Sequence, residues 1–497
     1  MLLQFQKEEM AYLHTCLRQN MTQEQTLEVR LSDGMPDIGT VLSTRGQVLI
    51  RGKEWDHDRL SVNGGTMVWV QYLPEGEDTP KTVEGWLPFQ MHWSLPQTQQ
   101  EGVMMTQVLL KSAEARSVNA RKLMLKTNVT VLLQALAPQK IEVFKPSEMP
   151  SDVQIRMDKY PVLLPMEANE KAFQIEESFP ASWAGESARI LATYLQPQVT
   201  EHKIIGDKIV FRGRALLSVL YTTDDNIRQT RDFELPFSQY AELNGDYSEN
   251  VQVVFWPGVT ALETQFEQNT LQVKAGIVCQ YCIRHRQLLC VAQDAYSPLR
   301  KITVQTQELE LPAIAEMKIQ SIHAECDVPE QASRLLDVQT LPQTVTQQED
   351  GDVKRLRVPV TMQAHYYDEE HTLRTCSCKW EDNFEFPADA ECTLDPQLWV
   401  SGVGQGMIMQ GNIRLQSELT LNVDTLMNMH LTMLTGLELG EAEEADQNRP
   451  SVILCKAGER TLWEIAKMTG STVNDIMQVN QLQTEPDPEQ VLLIPVK

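Results

Sequence analysis

Leu60-Ser-Val-Asn-Gly-Gly-Thr-Met-Val-Trp-Val-Gln-Tyr72 carries apolar or small residues at 60, 62, 64, 66, 68, 70 and 72. A period of two puts these side chains on one face and their neighbours on the other, the pattern of a half-buried β-strand. The stretch 209–221, IVFRGRALLSVLY, repeats it with Gly213 at the place of Gly64. A third version ends at Tyr366, with Leu356, Val358, Val360, Met362 and Ala364 on the matching face. Tyr72, Tyr221 and Tyr366 lie 149 and 145 residues apart, so the chain is a tandem of three similar units.

Neighbouring features recur in step. Trp86-Leu-Pro88-Phe89 matches Glu234-Leu-Pro236-Phe237 and, more loosely, Glu385-Phe386-Pro387, where Ala388 replaces the aromatic. Closing strands alternate at Leu123, Leu125, Thr127, Val129 and Val131, at Leu271, Val273, Ala275, Ile277 and Cys279, and at Ile413, Leu415, Ser417, Leu419 and Leu421. Upstream, Met35-Pro36-Asp37-Ile38 leading to Val41-Leu42 aligns with Ile190-Leu191 and Leu335-Leu336. The connections 139–171 and 288–316 match at Leu164-Pro165 and Leu311-Pro312, and so read as leading strands of the next unit. Helical periodicity is confined to the extreme N-terminus and the last 47 residues. The expected fold is mainly β: three antiparallel sandwich-like domains, 1–138, 139–287 and 288–438, each burying one sheet face and solvating the other. An acidic, apolar-poor linker, 439–450, precedes a small βααβ module, 451–497.

Composition narrows the function. A net charge of −25 opposes binding to nucleic acid or to an anionic bilayer. No stretch approaches the roughly 18 apolar residues of a transmembrane helix, and the first residues lack a secretory signal's apolar core. Nine irregularly spaced cysteines in a chain of this size point to free thiols in a reducing, cytosolic compartment.

The final module reads as strand, Gly-containing turn, two helices and closing strand, and in that order it resembles a LysM domain. The three repeats, with Pro36-Asp37-Ile38, Pro88-Phe89 and Pro236-Phe237, resemble SPOCS domains. Together they resemble the SipL-like spore coat morphogenetic proteins. The resemblance implies a non-enzymatic sporulation role in the mother-cell cytoplasm, at the forespore outer surface. It also implies that a SpoIVA-like coat ATPase docks on the LysM domain. The alternative is a cell-wall protein gripping peptidoglycan or N-acetylglucosamine polymers.

In LysM domains, the resemblance implies, the ligand groove lies between the turn after the first strand and the turn after the second helix. The matching residues here are Gly458, Glu459, Arg460, Thr461, Leu462 and Trp463 on one side, and Asn480, Gln481 and Leu482 on the other. The first turn is one residue longer than the usual Gly-Asp-Thr-Leu, and Pro488-Glu489-Gln490 replaces the usual Pro-Gly-Gln, where glycine supplies a positive φ. Both departures favour a protein partner over a glycan. Trp463 reads first as a core residue and second as a partner contact. Thr472 caps the second helix, with Asp475 beside it, and Asn480 takes the left-handed position at its end.

Catalytic, cofactor and metal motifs are not found. Cys279-Gln-Tyr-Cys282 would point its thiols to opposite faces of a strand, and no second pair lies at zinc-ribbon spacing. His365 and His371 flank Asp368-Glu-Glu370, which reads as a solvated hairpin tip.

Overall fold

A computed structural model describes residues 2–77, 79–97, 101–146, 148–247, 251–350, 353–387, 391–442 and 450–496. Ala388 and the linker residues 443–449 lie outside them. β1 (Leu2–Gln4) pairs with the last long strand of the third unit, and the first unit comprises β2 (Gln6–Arg30), β3 (Ile38–Asp56), β4 (Arg59–Pro74), β5 (Lys81–Ser94), β6 (Val103–Asn119) and β7 (Lys122–Lys145). Strands β3-β4-β5 form one antiparallel sheet and β2-β7-β6 the other. The second unit repeats this with β8 (Gln154–Pro180), β9 (Arg189–Ile205), β10 (Lys208–Thr222), β11 (Arg228–Glu242), β12 (Val251–Glu267) and β13 (Thr270–Tyr296). The third has β14 (Arg300–Val328), β15 (Arg334–Pro342), β16 (Thr346–Asp350), β17 (Val353–Tyr367), β18 (Leu373–Pro387), β19 (Thr393–Val400), β20 (Gln405–Met409) and β21 (Asn412–Ala442).

The alternating positions form the cores. Leu60, Val62, Thr66, Val68, Val70 and Tyr72 on β4 are fully buried, as are their counterparts along β10 and β17. The recurrent glycine has a steric cause. A Cβ on Gly64 would meet Leu49 O at 2.3 Å and the Phe89 ring at 2.6 Å; one on Gly213 would meet Gln198 O and the Phe237 ring. The Pro-Phe motif therefore lays its ring across a glycine on the paired strand, beside an irregularity in the neighbouring ladder. That is a packing role for the motif.

Two features depart from the expectation. The N-terminal segment with helical periodicity is β2, because its whole length pairs with β7 from Gln6↔Lys145 to Arg30↔Lys122; a full ladder outweighs a weak local preference. And the cysteines are not all free. Cys326 on β14 and Cys378 on β18 form a disulfide between the two sheets of the third unit.

The long leading and closing strands run past their own sandwiches. The divisions 138/139 and 287/288 fall within β7 and β13, and the extended ends meet in a core common to the three units. Tyr12, Ile141 and Val143, then Val162, Leu164, Leu289 and Val291, then Leu311, Ala313, Leu431 and Met433 contribute to it. Leu164 and Leu311, matched in the sequence, sit in this one cluster.

Polar side chains on the outward faces of the strands are also buried, against other units. Arg45 on β3 gives two hydrogen bonds to Asp337 on β15, at 3.0 and 2.9 Å. Gln47 accepts from Leu195 N at 2.9 Å, and Gln280 accepts from Thr106 N at 2.8 Å. His365 is not on a solvated tip; it is 1% exposed on β17, with Nδ1 2.8 Å from Asp337 Oδ1. Burial, with Arg45 and Arg228 nearby, lowers the His365 pKa against the pull of Asp337. Asp337 is held well below the usual carboxylate range: burial opposes its charge, but Arg45 and His365 outweigh it. A depressed histidine contributes stability that is complete above its unfolded value of about 6.5 and is lost as pH falls through the folded value. Asp337's contribution persists until pH falls below about 3.9. The denaturant midpoint should therefore be flat from pH 8 to 7 and decline below about 6.5. His365→Gln should lessen the decline above pH 5, the remainder belonging to His14 and His202, whose burial also lowers their pKa; an unchanged profile in that variant would assign it to those groups.

Candidate functional site

The C-terminal module consists of β22 (Val452–Lys456), α1 (Leu462–Thr469), α2 (Val473–Asn480) and β23 (Val491–Pro495). Thr461 caps α1 in a reciprocal capping box: Glu464 N donates to its Oγ1 at 3.3 Å, and Glu464 Oε2 accepts from Thr461 N at 2.9 Å. Thr472 caps α2, its Oγ1 accepting from Asp475 N at 3.1 Å. Leu462, Ile465, Ala466, Ile476, Leu492 and Ile494 fill the small core. The outer face of β22–β23 exposes Val452, Leu454, Val491 and Leu493.

The two predicted rims come together through a residue that sequence reasoning did not single out. Glu485 Oε2 accepts from Leu462 N at 2.8 Å, joining the segment after α2 to the turn after β22. Leu462 itself is buried in the core. Gly458 has φ +63°, while Glu459 and Arg460 are exposed beside it. The altered turn carries no left-handed Glu489. Instead Pro488 O accepts from Gly458 N and Gln490 O from Ala457 N, both at 2.9 Å, and the turn is satisfied without glycine.

Asn480 is corrected. The left-handed residue is Gln481, φ +56°, and Asn480 is the last residue of α2. Its side chain works as a bracket: Nδ2 donates to Ile476 O and Leu493 O, and Oδ1 accepts from Leu493 N at 2.8 Å. It ties α2 to β23. Leu482 packs against the core, and Gln481 is exposed at the rim.

Trp463 takes neither role expected of it alone. It lies at the edge of the module's core, 4.9 Å and edge-on from Tyr296 at the end of β13, and its Nε1 donates to Asp294 Oδ2 at 2.8 Å. Lys467 donates to the same carboxylate, and Tyr296 Oη donates to Ser471 O at 3.1 Å. Burial works against the Asp294 charge, yet Lys467 and Trp463 hold its pKa below the ordinary carboxylate value. Burial pushes the Tyr296 phenol up to about 12. The module is thus clamped to the second unit. Tyr296 and Asp294 lie 167 and 169 residues before Trp463, and no local pattern pairs them with it.

The other candidates resolve as packing. Cys279 lies in the second unit's core, where burial raises its pKa, and Cys282 faces the junction of units with its thiol pushed up to about 11. No group of three or more His, Cys, Asp or Glu able to hold a metal occurs among the described residues.

A body of three β-sandwiches with a small βααβ module clamped to one of them defines a multidomain β protein carrying a binding module. Residues 188–267 match the family model of the SipL, SPOCS domain, and 456–495 match that of the LysM domain. The chain has the SipL-like architecture, a SPOCS domain followed by a C-terminal LysM domain. These are non-catalytic binding domains, associated with sporulation and, for LysM, with a capacity to bind peptidoglycan. The SPOCS match spans β9 to β12, and β3 to β6 and β15 to β20 repeat its arrangement. No curated protein matches the chain. No described helix is long and apolar enough to cross a membrane.

Proposed function

We propose that this chain is a non-enzymatic scaffold of spore envelope assembly. It acts in the mother-cell cytoplasm at the forespore outer surface and docks a SpoIVA-like coat ATPase through its LysM module. The observation that favours a protein over a glycan is the Glu485 carboxylate on the Leu462 amide. A sugar acetamide carbonyl entering between the rims would have to displace a charged acceptor, whose hydrogen bond is roughly twice as strong as a neutral one. A partner presenting Lys or Arg can instead pair with that carboxylate, and Arg460 and Gln481 on the two rims are also exposed.

The test sets the purified chain against a SpoIVA-like ATPase in a pull-down and against insoluble peptidoglycan in a sedimentation assay. The ATPase should be retained and peptidoglycan should not. Retention on peptidoglycan alone, lost on Thr461→Ala, would overturn the reading in favour of a cell-wall protein. Glu485→Ala should weaken the ATPase interaction and leave the fold intact.

A further inference from the structure

We propose that the junction of the three sandwiches is a binding site for a neutral polyol of monosaccharide size. A cavity of ≈ 290 Å³ lies where the units meet. Each unit contributes two corresponding stretches of strand, 46–50 and 107–110 from the first, 194–199 and 255–259 from the second, 339–342 and 398–401 from the third, and the third adds Thr420 and Asn422 of β21. At about 30 Å³ per water, the space equals that of about ten waters, room for one sugar ring.

The lining selects the chemistry. No Asp, Glu, Lys, Arg or His is among the lining residues, so a charged ligand would lose its hydration with no ionic partner. Five buried side-chain atoms around the cavity have no protein partner. Gln107 Oε1, Gln196 Oε1 and Asn422 Oδ1 are acceptors; Gln198 Nε2 and Trp399 Nε1 are donors. Gln107 is 3% exposed, and its Nε2 is committed to Leu398 O at 2.7 Å, which fixes Oε1 as the free end. Gln196 is fixed in the same way, its Nε2 donating to Val400 O. Buried polar atoms in native proteins find partners, and a mixed ring of donors and acceptors is what hydroxyl groups satisfy, since each both donates and accepts. Phe255 and Trp399 add aromatic surface for the C–H faces of a ring.

The site is separate from the LysM module, and its test is independent of the docking reading. Ligand-observed saturation-transfer NMR on the full chain would use D-glucose and myo-inositol as neutral probes. Glucose 6-phosphate and D-glucosamine serve as charged controls. At least one neutral probe should show transfer and the charged ones should not. Gln107→Leu and Trp399→Phe should each weaken binding about tenfold, the scale of one lost hydrogen bond with its stranded partner. Arg460→Ala, in the LysM turn, should leave it unchanged. Trp399→Phe keeps an aromatic face while removing the N–H with the five-membered half of the indole, so it decides the matter if Gln107→Leu fails to fold. No transfer from any neutral probe, equal transfer from the charged ones, or transfer indifferent to Trp399→Phe would overturn the proposal.

Discussion

Asp424→Ala is expected to destabilise the folded chain by about 3–5 kcal/mol, the cost of stranding one partner of a buried ion pair. Arg284 on β13 gives Asp424 on β21 two hydrogen bonds, at 2.8 and 2.6 Å, and the side chains are only 3% and 5% exposed. A second pair, Arg18 on β2 with Asp395 on β19, adjoins it, close enough for Asp424 and Arg284 to act on the Arg18 guanidinium. All three units thus contribute charge to one buried cluster. Removing Asp424 leaves the Arg284 guanidinium buried without its carboxylate, close enough to that of Arg18 for the two like charges to repel. Arg284→Met with Asp424→Leu removes both charges of the pair and should cost far less than the single change. Urea denaturation followed by circular dichroism checks both variants. A loss below 1 kcal/mol for Asp424→Ala would mean that the units hold together without this pair.

The sequence displayed what lies inside each sandwich and concealed what lies between them. Positions such as Leu60, Phe211 and Met362 announce themselves by alternation, because a strand with one buried face must place apolar side chains at every second residue. Arg45, Gln47, Gln107 and Arg284 occupy the opposite phase, where the same rule assigns solvent. They are buried because that face meets another unit, and polarity at the phase assigned to water carries no sign of such a neighbour. The Cys326–Cys378 bridge spans 52 residues and two sheets, a distance that spacing alone does not resolve. In the module, the Thr472 cap and the core positions Ile465, Ala466 and Ile476 were legible because they rest on local pattern, whereas the helix end at Asn480 was misplaced by one residue. Glu485 and the Asp294–Trp463 contact were not, since each joins segments by tertiary geometry alone.

Trp463→Ala is expected to release the LysM module from the second unit. Two interactions go with the side chain, the edge-on contact with Tyr296 and the hydrogen bond to Asp294, and a half-buried aromatic anchor of this kind is worth about 2 kcal/mol. What remains is the Tyr296 hydrogen bond to Ser471 O and, at Asp294, the Lys467 pair, whose side chains are 47% and 24% exposed and which contributes about 1 kcal/mol at most. The module's own core, centred on Ile465, Ile476 and Leu492, keeps its contacts, so release and not unfolding is the expected outcome. Amide ¹⁵N relaxation would show it directly: in the wild type the module tumbles with the whole chain, and in the variant as a small independent body. Unchanged relaxation would mean that the contact is no clamp. Asp294→Ala then separates clamping from docking. It removes the indole's hydrogen bond and the Lys467 pair while leaving the indole on Tyr296, so a SpoIVA-like partner that grips Trp463 should bind this variant more tightly than wild type and Trp463→Ala more weakly. If both variants bind as the wild type does, the partner uses a different face of the module, such as the apolar strand face of Val452, Leu454, Val491 and Leu493.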